Sequence, residues 1–214
     1  MAKMYRTAPF KGPLMRVSYA YNLFTLREMN GDSGTRRIYG CTLIIEKADP
    51  SLSILQKAIA EVVNGQWREK GADKFKSGLI KNPILAGDGK EARSKETGDV
   101  LAGLGSDKVF IRVQANEDRA PLIFAPDAVT RLVDPDGLPS GSWGYPVLNA
   151  WAWHNPKNGD GVSFGIEMFQ LARKAEGDEV LGGGGRPDPS KFFESVKTAD
   201  DGGQKPGSAA AMFD

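Results

Sequence analysis

Residues 38–46, Ile38-Tyr39-Gly40-Cys41-Thr42-Leu43-Ile44-Ile45-Glu46, have the composition and spacing of a β-strand. The odd-numbered residues from Tyr39 to Ile45 share one face, because successive side chains of a strand point to opposite sides. Aromatic and β-branched residues at a period of two are typical of a strand with one buried face. We therefore expect a strand over residues 38–46 in a mainly β protein.

The chain before this strand predicts its hairpin partner. Residues 17–24 also alternate, and the residues of their first face are Val17, Tyr19, Tyr21 and Leu23. A turn-rich, cationic stretch, Gly31-Asp32-Ser33-Gly34-Thr35-Arg36-Arg37, separates the two strand patterns. Two strand patterns joined by a Gly/Asp/Ser loop favour a β-hairpin.

The chain after this strand predicts one main helix. Asp49 is a good N-cap and Pro50 suits the first helical position. Apolar residues then recur at helical spacing from Leu52 to Val63, and Asn64-Gly65 would end the helix. The next segment, residues 65–105, is rich in lysine and lacks strong periodicity. We expect it to be irregular and either functional or mobile.

Strand patterns resume in the second half of the chain. They cover residues 108–114, 121–125, 142–154 and 162–169. The third of these carries one face made of Trp143, Tyr145, Val147, Asn149, Trp151 and Trp153. We expect Trp151, Trp153 and Phe164 to lie in the core, and Trp143 and Tyr145 to be nearer the surface. Short strands, Gly-rich turns and a single helix after the second strand favour a small barrel or sandwich.

Composition narrows the class of protein. The chain has 214 residues, of which 40% are hydrophobic and 26% charged, as in an ordinary globular domain. The single cysteine cannot form an internal disulfide, which favours a reducing compartment. No apolar run approaches the roughly 20 residues of a membrane span, and we see no signal peptide. We expect a cytoplasmic protein with a folded domain over residues 1–181 and a flexible Gly/Pro-rich tail over 182–214.

The net charge of +1 conceals a segregation of charge along the chain. Residues 1–100 carry 17 Lys and Arg against 11 Asp and Glu, a net charge of +6. Residues 101–214 carry 11 against 16, a net charge of −5. A basic half can bind a polyanion, while an acidic half can compete for the same surface.

The chain offers little for catalysis. One histidine, His154, and one cysteine cannot build a zinc site of the usual type. Residues 87–92, Gly87-Asp88-Gly89-Lys90-Glu91-Ala92, match the Gly-x-Gly-x-x-Ala motif of dinucleotide-binding proteins. The motif lacks its usual context, because no clean strand pattern precedes it and no helix pattern follows it. We therefore expect a protein that is not an enzyme and that has no cofactor or metal.

Aromatic and cationic residues lie interleaved, which is what binding of single-stranded nucleic acid requires. The candidate stacking residues are Tyr19, Tyr21, Tyr39, Phe75, Trp143 and Tyr145. The candidate phosphate-binding residues are Arg36, Arg37, Lys74, Lys76 and Lys81. Two alternatives stay open: a module for duplex or structured DNA or RNA that uses the same cations, and a structural protein whose aromatic residues are core.

Three stretches carry a resemblance to a known family. They are Val17-Ser18-Tyr19 through Glu46-Lys47 with the helix behind Asp49, then Pro83-Ile84-Leu85 with Gly87-Asp88-Gly89, and finally Ser140-Gly141-Ser142-Trp143 through Leu181-Gly182-Gly183. In their order and spacing the chain resembles the phage-encoded single-stranded DNA-binding proteins of replication and recombination. The resemblance implies an antiparallel oligonucleotide-binding (OB) barrel with loop insertions. It also implies a protein that coats single-stranded DNA in the host cytoplasm, without strong sequence preference.

The same resemblance implies a C-terminal tail that recruits phage or host replication proteins and can occupy the protein's own DNA groove. Phe213 and Asp214 match the end of such a tail. Tails of this family are often densely acidic, whereas residues 175–214 carry eight Asp and Glu and four Lys and Arg, a net charge of −4. The sequence does not indicate an oligomeric state.

Overall fold

Residues 4–31 and 34–181 are described by the computed structural model, and strands predominate among them. In chain order the strands are β1 (Phe10–Lys11), β2 (Met15–Ser18), β3 (Arg27–Gly31), β4 (Gly34–Glu46), β5 (Ile80–Lys81), β6 (Leu85–Ala86), β7 (Lys108–Asn116), β8 (Leu122–Phe124), β9 (Trp143–Asn155) and β10 (Gly159–Arg173). Two helices, α1 (Leu52–Trp67) and α2 (Gly71–Lys76), follow β4. The predicted domain boundary and the predicted tail over 182–214 lie outside the described residues.

Five strands form a closed ring of hydrogen-bonded neighbours in the order β9, β2, β4, β7, β10 and back to β9. The longest ladder is the antiparallel pair of β9 and β10, which runs from Asn155↔Gly159 to Trp143↔Arg173. The β7–β10 pair is parallel, so the sheet is mixed where the sequence predicted antiparallel strands only. The mainly β class with one main helix after the second ring strand is confirmed.

The core fills the inside of this ring. Leu43, Ile111, Leu148 and Phe164 come from four ring strands and are each at most 1% exposed. The apolar side of α1 packs against the same cluster, where Leu55, Ile59 and Val62 are buried. Each large side chain buried in this way contributes roughly 1.5–3 kcal/mol of transfer free energy. The inward residues of the ring therefore stabilise the fold, and the outward residues Ile44 and Phe110 form a second buried cluster with Ala92 and Leu181.

The predicted first strand is wrong beyond Ser18. Tyr19 has φ 58° and ψ 37°, a left-handed conformation that takes the chain out of the strand and into a 3₁₀ turn, Ala20–Leu23. As a result Tyr21 and Leu23 do not share a strand face: Tyr21 is 59% exposed and Leu23 is 1% exposed.

The predicted strand over 38–46 is confirmed, but it begins earlier, at Gly34. Arg36 and Arg37 consequently lie in β4 rather than in a turn. The hairpin partner of this first part of β4 is β3, whereas β2 pairs with the later part, with Val17 opposite Leu43. The single predicted hairpin is thus replaced by two pairings of one long strand.

The predicted helix is confirmed with shifted ends. The Asp49 carboxylate accepts hydrogen bonds from the backbone N and Oγ of Ser51, at 2.8 and 2.6 Å, just before α1 begins. Gly65 does not end the helix, which continues to Trp67. A Cβ atom on Gly65 would overlap the ring of Tyr5, so this glycine serves a close approach and not a C-cap.

The segment 65–105 is not irregular as expected, since it contains α2, β5, β6 and the 3₁₀ turn Lys90–Ala92. The four later strands are confirmed, and Phe164 is buried in the core as predicted. Trp151 and Trp153 are not core residues. Leu148, Ala150 and Ala152 supply the inward face of β9, so both tryptophans lie half-buried on its outward face.

Candidate nucleic-acid interface

A groove of about 540 Å³ lies on the outward face of β4 and β7. Two cross-strand pairs, Gly40↔Gln114 and Thr42↔Arg112, contribute its floor. Its walls come from the 3₁₀ turn after β2, from β3 and from residues 101–104. At Gly40 a Cβ atom would overlap the carbonyl oxygen of Val113, so this glycine allows the close approach of β4 and β7 beneath the groove.

Two arginines supply positive charge to the groove, Arg27 from β3 and Arg112 from β7. The Nη2 atom of Arg112 donates a 2.8 Å hydrogen bond to the carbonyl oxygen of Glu91, and its Cζ lies 5.7 Å from the centroid of the Phe110 ring. Within residues 4–31 and 34–181, neither arginine forms an ion pair with a carboxylate. Their charge is therefore available to an anion.

Tyr19 gives the groove an exposed aromatic ring. It lines the cavity and is 49% exposed, and the neighbouring Tyr21 is 59% exposed. Tyr39 is placed differently, because it shares the inward face of β4 with Cys41 and Leu43 and is half-buried. Of the predicted stacking residues, Tyr19 is the one that the structure places in the groove.

The predicted residues of α2 do not line the groove. Phe75 is half-buried, packs against the core, and lines an apolar cleft between α1 and α2 together with Lys76. Lys74 is half-buried on the same short helix. The structure therefore separates these three residues from Tyr19 and the groove arginines.

The outward face of β9 carries rings that each have a cation nearby. Lys11 Nζ lies 4.2 Å from the centroid of the Tyr145 ring, and Lys81 Nζ lies 5.8 Å from that of Trp153. Such a pair is attracted through the quadrupole of the ring. Tyr145 and Lys81 were both predicted from the sequence as DNA-binding residues. The sequence did not indicate that Tyr145 pairs with Lys11 or that Lys81 pairs with Trp153.

Trp143 lies at the start of the same face, between Arg16 of β2 and Arg173 of β10 in register. The Arg16 guanidinium already donates two hydrogen bonds, to the carbonyl oxygens of Gly141 and Glu179, at 3.1 and 2.6 Å. Fewer of its N–H groups therefore remain for a ligand. The Arg173 guanidinium holds the pKa of the Glu179 carboxyl below its usual value. Trp143 therefore sits beside cations that are already engaged.

A second, polar cavity of about 370 Å³ lies where β7, β10 and β9 meet. Arg36 lines it, together with Arg6 and Arg119. Arg37 is exposed on β4 and lines neither this cavity nor the groove. The two predicted arginines of β4 are therefore divided between different parts of the surface.

Arg27, Arg112 and Gln114 are three polar groove residues that the sequence did not single out. Arg112 could have been found, because it alternates with the buried residues Ile111 and Val113 in a predicted strand and must point outward. Arg27 could not, since β3 was not predicted. The same alternation places Gln114 outward, and its pairing with Gly40 brings it to the groove.

The remaining chemical candidates have structural partners. His154 Nδ1 lies 2.8 Å from Asp160 Oδ1, and Trp67 Nε1 donates to Asp160 Oδ2 at 3.1 Å. Burial in β4 raises the pKa of the Cys41 thiol. In the described part of the chain there is no group of three or more His, Cys, Asp or Glu that could hold a metal ion, and no helix is long and apolar enough to cross a membrane.

A closed ring of five strands, with a cationic and aromatic groove across its outward face, defines a binding protein of the OB type. Residues 11–202 match the model of the family described as "Enterobacter phage Enc34, ssDNA-binding protein". The chain belongs to this family.

Solved structures agree with this assignment at the level of the fold. The single-stranded DNA-binding protein from bacteriophage Enc34, in complex with ssDNA, is similar with a TM-score of 0.51 and 18% identity, over 78% of this chain and 86% of that one. The single-stranded DNA-binding protein gp2.5 of bacteriophage T7 is similar with a TM-score of 0.50 and 13% identity, over 92% of this chain and 98% of that one. No curated protein sequence matches the chain. The predicted OB-fold-like class is confirmed.

Proposed function

We propose that this protein binds single-stranded DNA without strong sequence preference and coats it during phage DNA replication and recombination. The observation that carries the proposal is the groove, which Tyr19, Arg27 and Arg112 all line. Membership of the Enc34 family supports it. The protein acts by binding alone, without catalysis or a cofactor, and works in the host cytoplasm.

The groove provides the two interactions that sequence-independent binding needs. Arg27 and Arg112 neutralise phosphates, and a base stacks on the exposed ring of Tyr19. Stacking tolerates any sequence because every base has a π-face, and each stacked base contributes about 1–3 kcal/mol as judged by alanine substitution. An intact duplex keeps its bases stacked on one another, so it cannot use Tyr19.

The other predicted residues contribute outside the groove. Tyr21 lies two residues after the groove residue Tyr19, and Arg36 pairs with the groove residue Met29 across β3 and β4. Trp143 and Tyr145 lie on the outward face of β9, and Lys81 lies on β5, which pairs with β10. The residues proposed to contact DNA only beyond the groove are Tyr39, Arg37, Lys74, Phe75 and Lys76.

Residues 182–214 form a separate tail in this proposal. Its end, with Phe213 and Asp214, competes with DNA for the groove or recruits replication proteins. The described chain supports this arrangement at one point: Leu181 packs with Ile44 and Phe110, and both of these residues line the groove.

A tryptophan-fluorescence titration with oligo-dT tests the proposal. We expect quenching that high salt reverses, with log K falling against log[salt] by about 0.7 for each neutralised phosphate. Added duplex should compete poorly at equal salt. Absence of both quenching and a gel shift would overturn the proposal, and preference for the duplex would favour the duplex-binding alternative.

A further inference from the structure

The outward face of β9 carries two tryptophans that the groove does not include. Trp151 and Trp153 are two residues apart and point to the same side, away from the core. Trp153 lies over its cross-strand partner Gly161, where a Cβ atom would overlap the indole ring, and Trp151 lies opposite Ser163. Small residues beneath the rings let both indoles rest on the sheet with their outer sides half-exposed. We name Trp151 and Trp153 the outer platform.

Cations surround the outer platform. Arg6 Cζ lies 6.0 Å from the Trp151 ring centroid, and Lys81 Nζ lies 5.8 Å from that of Trp153. Arg36 and Arg119 line the polar cavity together with Arg6. These are the same two ingredients, flat rings and positive charge, that occur in the groove.

The carboxylates of this cavity leave it with a surplus of positive charge. Asp118 and Glu167 line it beside the three arginines. Glu167 already has partners, because Arg119 forms a 3.0 Å ion pair with it and Asn149 Nδ2 donates to it at 2.8 Å. Arg6 and Arg36 form no ion pair within the described residues, so their guanidinium groups are free to bind a phosphate.

The outer platform is continuous with the groove. Gln114 lines both cavities. The cross-strand pairs Gly40↔Gln114, Gln114↔Gly165 and Gly165↔Asn149 form one outward row across β4, β7, β10 and β9. Ser163 lines the groove and faces Trp151 across the β9–β10 ladder. A strand that leaves the groove over Gln114 therefore arrives at Trp151.

We propose that single-stranded DNA continues from the groove over Gln114 onto the outer platform, where bases stack on Trp151 and Trp153 and phosphates meet Arg6, Arg36 and Lys81. This inference rests on the proposed function and extends it, because it assigns a second set of nucleotides to the same bound strand. Short oligonucleotides fill the groove alone, whereas longer ones reach the platform as well.

Binding measured against oligonucleotide length tests this inference. Fluorescence anisotropy with labelled oligo-dT of about 4 to 16 nucleotides spans the site sizes known for OB folds. We expect the affinity of the unaltered protein to rise with length until the platform is filled. The double variant W151L/W153L should bind the shortest ligands normally and the longest ones at least ~10-fold more weakly, since two base–ring stacks are lost.

A second variant, which removes two positive charges beside the outer platform, tests the inference even if the tryptophan variant unfolds. R6Q/K81Q alters two exposed side chains and should reduce the salt slope for long oligonucleotides by about 1.4, which is two phosphates. K47Q/K57Q removes the same charge from exposed positions that line neither cavity, and should leave the slope unchanged. A normal length dependence and salt slope in folded W151L/W153L and R6Q/K81Q would overturn the inference.

Failure of the proposed function would look different. In that case no oligonucleotide of any length would bind the unaltered protein. If the groove alone binds DNA, R112Q weakens binding at every length while W151L/W153L weakens it at none.

Discussion

The guanidinium of Arg112 is held by the backbone of Glu91, through a 2.8 Å hydrogen bond from Nη2 to the carbonyl oxygen. Glu91 belongs to the 3₁₀ turn Lys90–Ala92, and Ala92 packs beside Phe110 of the same strand as Arg112. The turn Lys90–Ala92 therefore holds the Arg112 guanidinium in place before DNA binds. Less side-chain entropy is then lost when the arginine meets a phosphate.

Replacing Arg112 by glutamine should weaken binding of oligo-dT and lower the salt slope by about 0.7, because one phosphate contact is lost. Glutamine is polar and outward-facing, so we expect the fold to persist. Arg131→Gln is the matched control, since Arg131 is also exposed but does not line the groove. Equal salt slopes for both variants would exclude Arg112 from the interface.

Replacing Tyr19 by asparagine should remove a stacking ring while preserving the backbone. Tyr19 adopts a positive φ, and asparagine is among the residues that tolerate this conformation best. We expect affinity for oligo-dT to fall by about 1–3 kcal/mol with little change in melting temperature. Isothermal titration calorimetry and thermal unfolding measure the two quantities. A folded variant with unaltered affinity would remove Tyr19 from the interface.

Deleting residues 186–214 should tighten DNA binding, because the segment that ends in Phe213 and Asp214 would no longer compete for the groove. Within the described chain, Leu181 packs with Ile44 and Phe110, which line the groove. Anisotropy titrations of the full and shortened chains provide the comparison. Equal affinities would show that the tail does not compete, and would leave recruitment of partners as its role.

Asp49 should make the stability of the fold depend on acid pH. Hydrogen bonds from Ser51 to its carboxylate hold the pKa of Asp49 below the ordinary value. A lowered pKa in the folded state means that the stabilisation is present above about pH 4 and is lost as the pH falls through the folded-state value.

Urea unfolding at several pH values tests this. Asp49→Ala should cost about 1 kcal/mol near neutral pH, as loss of a helix-start acceptor usually does. Asp49→Asn keeps an acceptor but does not titrate, so the stability difference between it and the unaltered protein should shrink below about pH 4. A difference that stays constant down to pH 2 would refute the role assigned to this carboxylate.

The long ring strands were predictable because their signal is local. Alternation of apolar and polar residues gave β4, β7, β9 and β10 to within a few residues, and Asp49 with Pro50 marked the start of α1 to within two or three residues. Such patterns depend on burial of one face, which the sequence records directly.

The errors have tertiary causes. Gly65 looked like a helix end, but its missing Cβ makes room for Tyr5, which is distant in sequence. Tyr19 fits a strand pattern, yet a left-handed backbone turns the chain there. Trp151 and Trp153 were assigned to the core because tryptophan usually buries well. The opposite face of β9 fills the core instead with Leu148, Ala150 and Ala152.

The sequence predicted the types of residue in the candidate site but not which of them lie together. Interleaved aromatic and cationic residues predict a surface with both properties, and the structure places Tyr19 in the groove. Arg27 was not among the candidates because β3 has no clear sequence pattern, and the ring of the candidate Phe75 lies partly buried against the core, away from the groove. Which residues share a groove depends on the register between strands, and a single sequence does not contain that information.

The most direct test of the central claim is the affinity of the double variant Tyr19→Asn/Arg112→Gln for labelled oligo-dT, measured beside the unaltered protein at one salt concentration. Thermal unfolding of both proteins verifies that the variant is folded. The groove predicts that the unaltered protein binds single strand in preference to duplex and that the double variant loses at least ~10-fold in affinity. A folded double variant that binds single-stranded DNA as tightly as the unaltered protein would contradict the claim that this groove holds the DNA.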